Sequence, residues 1–215
     1  MVTASSRGRR IVLWRHGQTA WNREQRFQGT IDIELNPEGV REARRAARVL
    51  AALAPDAVIT SRLKRAAATA RELSALTLRP AAPEEGLREA YTGRWQGLTH
   101  DEIVAEYGEE YEAWKQGEPV RRGGGELDTE VAERAVAVVE RHADRLPDGG
   151  TLVVVSHGGT IRATAGHVLR MDPGHWMSLA GLSNCRWHVL SEESSGWRLS
   201  VRNAGAPQEE EFGEG

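Results

Sequence analysis

Three runs in this chain are apolar at consecutive rather than alternating positions: Ile11 to Trp14, Ala57 to Ile59 and Leu152 to Val155. A strand covered on both faces reads this way, so each run predicts a buried strand of a parallel sheet. Helical spacing follows each of them. Asn36-Pro37-Glu38 supplies an N-cap, a first-turn proline and an acid matched to the helix dipole, and Val40, Ala43, Ala47 and Leu50 continue at helical period. Ser61 is placed to cap a helix reaching about Leu76. Thr99-His100-Asp101-Glu102 has the capping-box pattern and opens a helix through Tyr107, with a second short helix expected up to Trp114. From Asp128 to Leu146 the apolar positions make a wide buried stripe, ended by Pro147-Asp148-Gly149-Gly150. Cys185 to Leu190 and Trp197 to Val201 predict a late hairpin.

Strands alternating with helices define the expected fold class: an α/β protein, a three-layer α/β/α sandwich with a mostly parallel central sheet. The stretch from about Leu87 to Gly125 holds no buried strand and is expected to form a small helical cap over one edge. A single domain is expected over 1–203, followed by a disordered acidic tail over 204–215, where Gly, Pro and Glu dominate.

Composition narrows the class further. The chain has 215 residues, 40 % of them hydrophobic, and a net charge of −3, which offers no basic field for nucleic acid. No run approaches the ~18 apolar residues of a membrane helix, and the apolar stretch after MVTASSRGRR is too short for a signal-peptide core. Cys185 is the single cysteine, which excludes an intrachain disulfide or a thiolate metal cluster and fits a cytoplasmic protein.

The chemistry gathers at strand ends. Arg15-His16-Gly17 follows the first strand, Ser156-His157-Gly158-Gly159 follows the third, and Thr60-Ser61-Arg62-Leu63-Lys64-Arg65 follows the second. In open α/β sheets the ligand crevice lies beyond the carboxyl ends of the strands. Two imidazoles, several guanidinium groups and helix N-termini converging there suit a phosphoryl group. One His-Gly turn alone is weak evidence; the joint arrangement is not.

Other candidates read as structure. The tryptophans read as packing residues apart from Trp21, His100 fits a helix first turn, and His142 fits a helix rim. His167, His175 and His188 lack metal-ligand spacing. Gly123-Gly124-Gly125 lacks the Lys-Ser/Thr of a P-loop and reads as a turn. Ser156 is not in a G-x-S-x-G elbow.

As a set, LWRHGQT with Asn22, S-R-L-K-R-A-A-A-T over 61–69, Leu87-Arg88-Glu89 with Gly93-Arg94-Trp95-Gln96-Gly97, and S-H-G-G-T-I-R over 156–162 resemble the histidine phosphatase superfamily, the phosphoglycerate mutase-like proteins. The resemblance covers Ile11 to about Val201. It implies a phosphoglycerate mutase-like fold and the hydrolysis of a phosphomonoester through a phosphohistidine at His16, with no metal or other cofactor. It further implies that Arg15, Arg65 and His157 complete the phosphate pocket, that Asn22 and the Gly158 backbone add donors, and that Glu89 moves the proton. Arg62 falls at a variable position and is expected at the surface or rim.

A neutral imidazole can attack phosphorus in line while surrounding cations hold the equatorial oxygens. A carboxyl near a phosphate dianion is favoured in its protonated form, so Glu89 can protonate the leaving oxygen. Gln28, Gly29 and the segment Tyr91 to Arg94 are candidates for the substrate rim. Only 68 positions separate Glu89 from His157, which argues for a phosphatase over a bisphosphoglycerate-dependent mutase, whose resembling members carry a longer insertion there. The stretch LREAYTGRWQGLTHDEI, residues 87–103, looks like glucosyl-3-phosphoglycerate phosphatases and related broad acid phosphatases. The expected partner is a small phosphorylated metabolite, with a homodimer possible and with neither nucleic acid nor a membrane. A non-catalytic phosphoester-binding regulator and a two-histidine metal protein are the alternatives from other classes. Pure binding would not need Glu89.

Overall fold

The computed structural model describes residues 8–207. In chain order its elements are β1 (Arg10–Arg15), α1 (Ala20–Arg23), α2 (Pro37–Ala51), β2 (Ala57–Ser61), α3 (Lys64–Thr77), β3 (Ala82–Glu84), α4 (His100–Lys115), α5 (Asp128–Ala143), β4 (Thr151–Ser156), α6 (Gly158–Val168), β5 (Trp187–Glu193) and β6 (Gly196–Ala204). The strands form one sheet in the order β3-β2-β4-β1-β5-β6. β3, β2, β4 and β1 pair in parallel, and β5 and β6 add an antiparallel hairpin beside β1.

Alternating residues of the consecutive apolar runs serve opposite faces. Ile11, Leu13, Ile59, Leu152 and Val154 pack on one side with Val138 and Val139 of α5 and Ile161 of α6. Val12, Trp14, Val58, Val153 and Val155 pack on the other with Ala43 and Leu50 of α2 and Ala70 and Leu73 of α3. These two clusters make the three layers. Ile11, Leu13 and Trp14 are at most 1 % exposed, and side chains of this size contribute roughly 1.5–3 kcal/mol each on burial.

Three details differ from the sequence reading. Ala82-Pro83-Glu84 is an additional edge strand, too short and too exposed to show a period and tolerant of proline because its outer edge needs no donor. Ser61 ends β2 instead of capping α3; Leu63 holds the N-cap position, and the buried Ser61 hydroxyl turns toward His157. The last strand reaches Ala204, which pairs with Trp187, so residue 204 is strand and not tail. Residues 208–215 of the expected tail lie outside the described residues. Within α4 the backbone of Tyr107 is non-helical, so the two helical stretches expected there are present and meet at a kink.

Segment 87–125 contributes no strand to the sheet. Its Trp95, Ile103, Tyr111 and Trp114 form a separate aromatic cluster against Phe27. That cluster stands beside the carboxyl edge of the sheet, where β1, β2 and β4 end in register: Arg15 opposite Ser156, and Thr60 opposite Val155.

Candidate active site

A cavity of about 360 Å³ opens at that edge and is lined by Arg15, His16, Asn22, Gln28, Gly29, Arg65, Glu89 and Gly158, every one of them expected from the sequence. His157 sits directly behind, its ring centroid 5.1 Å from that of His16. The rim segment Tyr91 to Arg94 supplies only Thr92 to the lining; Tyr91 and Arg94 are exposed, as is Arg62.

His16 follows the last residue of β1 and is 3 % exposed. Its Nδ1 lies 2.7 Å from the Gly17 carbonyl, which can only accept, so the proton is assigned to Nδ1 and the lone pair to Nε2. Burial lowers the His16 pKa well below its ordinary value, and the charges of Arg65 and Arg15 lower it further. The ring is thereby held neutral. A neutral imidazole with a free Nε2 is the form that can attack phosphorus.

Arg65 is fully buried, and its fork is fixed at three points: Nε donates to His157 Nδ1 at 3.2 Å, and Nη1 and Nη2 donate to the carbonyls of Ile31 and Gly29 at 2.8 Å. Burial pulls its pKa down to about 10, which still leaves it charged at neutral pH. Because His157 Nδ1 accepts from Arg65, its proton belongs on Nε2, which meets Ser61 Oγ at 2.9 Å. Both nitrogens of His157 are therefore bonded within the protein. The ring orients Arg65, a role the sequence reading did not separate from direct phosphate contact. Its pKa too is pushed well down, by burial first and by Arg65 next.

Arg15 donates through Nη1 to the Leu182 carbonyl, while its buried Nε has no partner. That nitrogen lies beside Gly158, the first residue of α6. A buried donor left unsatisfied costs roughly 1–3 kcal/mol, and an anion at the helix N-terminus would satisfy it. The same logic extends around the cavity. Among the described residues, seven buried side-chain polar atoms lack partners, and five of them (Arg15 Nε, Gln28 Oε1, Thr92 Oγ1, Trp114 Nε1, Arg122 Nε) belong to residues lining this one cavity. Such a concentration marks a site built for a polar ligand.

Glu89 is held over the first turn of α6: Oε2 accepts from Gly159 N, and Oε1 from Ala90 N, Thr160 N and Thr160 Oγ1. A Cβ at 159 would stand 2.8 Å from Glu89 Oε1, so any larger residue there would have to displace the carboxylate. Burial pushes the Glu89 pKa up, but the amides of Ala90 and Gly159 and the charges of Arg122 and Arg65 outweigh it, and the net direction is down. By itself the site thus holds a carboxylate. The protonated form expected from the sequence requires the substrate's own negative charge nearby.

The sequence reading missed Arg122, Arg162 and Trp114, all of which line the cavity. Both guanidinium groups approach the Trp114 ring, at 5.2 and 5.6 Å, and both face Asp128. Glu89 also acts on both, but five arginines line the cavity against that one glutamate, so positive charge stays in excess in a place where Arg122 is 4 % exposed. Helical spacing could have shown Arg162, four residues after Gly158 and on its face of α6. Arg122 stood in plain view in R-R-G-G-G-E, where the glycines drew the reading toward a turn. No three His, Cys, Asp or Glu side chains converge as metal ligands among the described residues.

A parallel sheet bearing a neutral histidine, a ring of buried arginines and an opposed carboxylate beyond its carboxyl edge defines a phosphoryl-handling α/β protein. Residues 11–205 match the model of the histidine phosphatase superfamily (branch 1), and the chain belongs to that family. It is 36 % identical over 215 residues to a glucosyl-3-phosphoglycerate phosphatase of Mycobacterium tuberculosis, covering 93 % of this chain and 96 % of that one. It is 33 % identical over 168 residues to a 2,3-bisphosphoglycerate-dependent phosphoglycerate mutase of Gloeobacter violaceus, covering 76 % and 77 %. The solved structure of a mycobacterial glucosyl-3-phosphoglycerate phosphatase with VO3 superposes with a TM-score of 0.87 at 37 % identity, covering 92 % of this chain and all of that chain.

Proposed function

We propose that this protein hydrolyses a small phosphomonoester of the phosphoglycerate type through a phosphohistidine at His16. The observation that carries the proposal is the neutral, Nδ1-protonated His16 among Arg15, Arg65 and His157, with Glu89 across the same cavity. Arg65 has five N–H groups and the protein occupies three, which leaves two for phosphoryl oxygens. Arg15 Nε, the Gly158 amide at the start of α6 and Asn22 supply further donors. With the substrate's charge raising its pKa, Glu89 takes up a proton from solvent or from the entering phosphate monoanion and gives it to the leaving oxygen; as a carboxylate again, it takes one from the water that attacks phosphohistidine.

The excess positive charge around Arg122 and Arg162 supports a substrate with a second anionic group, such as the carboxylate of a phosphoglycerate or glucosyl-3-phosphoglycerate. Gln28 Oε1 and Thr92 Oγ1 can take its hydroxyl groups. Hydrolysis is favoured over mutase chemistry because the relatives matched over the greater share of the chain are named as phosphatases. Segment 87–125 acts as the cap in this reading. The cytoplasmic location belongs to this reading on the single cysteine, Cys185, which is buried, and the homodimer on the family resemblance alone; separately, no described helix is long and apolar enough to cross a membrane.

The test is a phosphometabolite panel with p-nitrophenyl phosphate, 3-phosphoglycerate and glucosyl-3-phosphoglycerate. The wild-type protein should turn over the carboxylated esters. Arg122→Ala should reduce kcat/KM on 3-phosphoglycerate at least about tenfold more than on p-nitrophenyl phosphate, the size of one charge-assisted hydrogen bond. Equal losses on both would remove the second-anion argument.

A further inference from the structure

The loop before β5 bonds to three residues that line the cavity, Arg15, His16 and Asn22. Leu182 O accepts from Arg15 Nη1, Cys185 N donates to His16 O at 3.2 Å, and Asn184 Nδ2 lies 3.1 Å from His16 O and 3.2 Å from Asn22 Oδ1. Asn184 is thus the one residue among those described whose side chain bonds to both the backbone of His16 and the side chain of Asn22. It does not itself line the cavity.

We infer that Asn184 is a positioning residue for phosphate capture, fixing which end of the Asn22 carboxamide the phosphoryl group meets. This rests on the phosphoryl site proposed above. Asn22 Oδ1 accepts from Thr19 N and Thr19 Oγ1, each at 3.1 Å, as well as from Asn184. A carboxamide has two faces of opposite character, an acceptor oxygen and a donor NH2. With three donors gathered at the oxygen, a half-turn would set NH2 against three N–H or O–H groups, so the amide is locked with Nδ2 as the free end. Thr19 contributes two of those bonds from within the same turn. Asn184 contributes the third from a distant loop and, by donating from the same Nδ2 to His16 O, ties that amide to the nucleophile's own backbone. Without it only the two Thr19 bonds remain, and because the Thr19 hydroxyl can turn to accept instead of donate, a single amide is left to hold the Asn22 oxygen away from an anion.

A double-mutant cycle with inorganic phosphate as the probe separates positioning from mere loop support. Calorimetric titration of Asn184→Leu should show phosphate binding weakened about tenfold relative to wild type, as expected for a misdirected charge-assisted bond. When Asn22 is already alanine, Asn184→Leu should change phosphate affinity less than about twofold, because the group it orients is gone. An equal weakening in both backgrounds, or none in the wild-type background, overturns the inference. Should Asn184→Leu fail to fold, Asn184→Asp enters the same cycle: its carboxylate sets an acceptor against Asn22 Oδ1 and His16 O, and the same non-additivity is required. Affinity is read without turnover, so additive effects in a protein that still hydrolyses phosphomonoesters would sink this inference alone, while phosphate binding without hydrolysis would sink the hydrolase reading alone.

Discussion

Glu89 shows how one residue can serve two protonation states. Its carboxylate accepts from two backbone amides at the start of α6 and from that of Ala90, and these favour the charged form against the penalty of burial. In the proposed mechanism a phosphate dianion in the cavity would reverse that balance by like-charge repulsion, so that the proton would arrive with the substrate and pass to its leaving oxygen. Glu89→Gln should therefore lower kcat/KM on 3-phosphoglycerate by about 10²–10⁴. Aryl esters leave without help, so the loss on p-nitrophenyl phosphate should be at least about tenfold smaller. Steady-state kinetics on the two esters checks this, and equal losses would remove Glu89 from the proton-transfer role.

At the scale of elements, the sequence revealed what repeats and hid what is singular. β1, β2 and β4 were legible because a strand buried on both faces has a continuous apolar signature, and their carboxyl ends located His16, Arg65 and His157 before any coordinates. α2 was legible from its cap and its apolar spacing. β3 was not, since three exposed residues carry no period. Ser61 misled because its capping chemistry is the same chemistry that binds His157, and only tertiary contact decides between them. Arg122 and Trp114 were invisible as site residues for a related reason: both belong to the aromatic segment 87–125, whose path over the sheet edge is set by packing of Trp95, Ile103 and Tyr111 and not by any local motif. The family resemblance carried the strand-end motifs but assigned nothing to Arg162 or Asn184.

The whole molecule pays for its neutral histidines in acid. Both His16 and His157 have folded pKa values well below the ordinary 6.5. Below that pH the unfolded chain takes up protons that the native state refuses, so stability falls as pH falls and is flat above it. Each ring contributes a slope of up to about 1.4 kcal/mol per pH unit. Between pH 6.5 and 5 the wild-type protein should lose stability more steeply than His16→Ala, by up to one such slope, when urea unfolding is followed at each pH. Identical slopes would mean that His16 is not held neutral.

The account depends most directly on a phosphoryl group passing through His16 Nε2. Incubation with a turned-over ester, rapid quenching in base to preserve phosphohistidine, and mass spectrometry of the peptides test it. A phosphoryl group should appear on the peptide containing His16 during turnover and be absent from His16→Ala, which should also lose hydrolysis. Sustained hydrolysis by His16→Ala, or a phosphoryl group trapped on another residue instead, would contradict it.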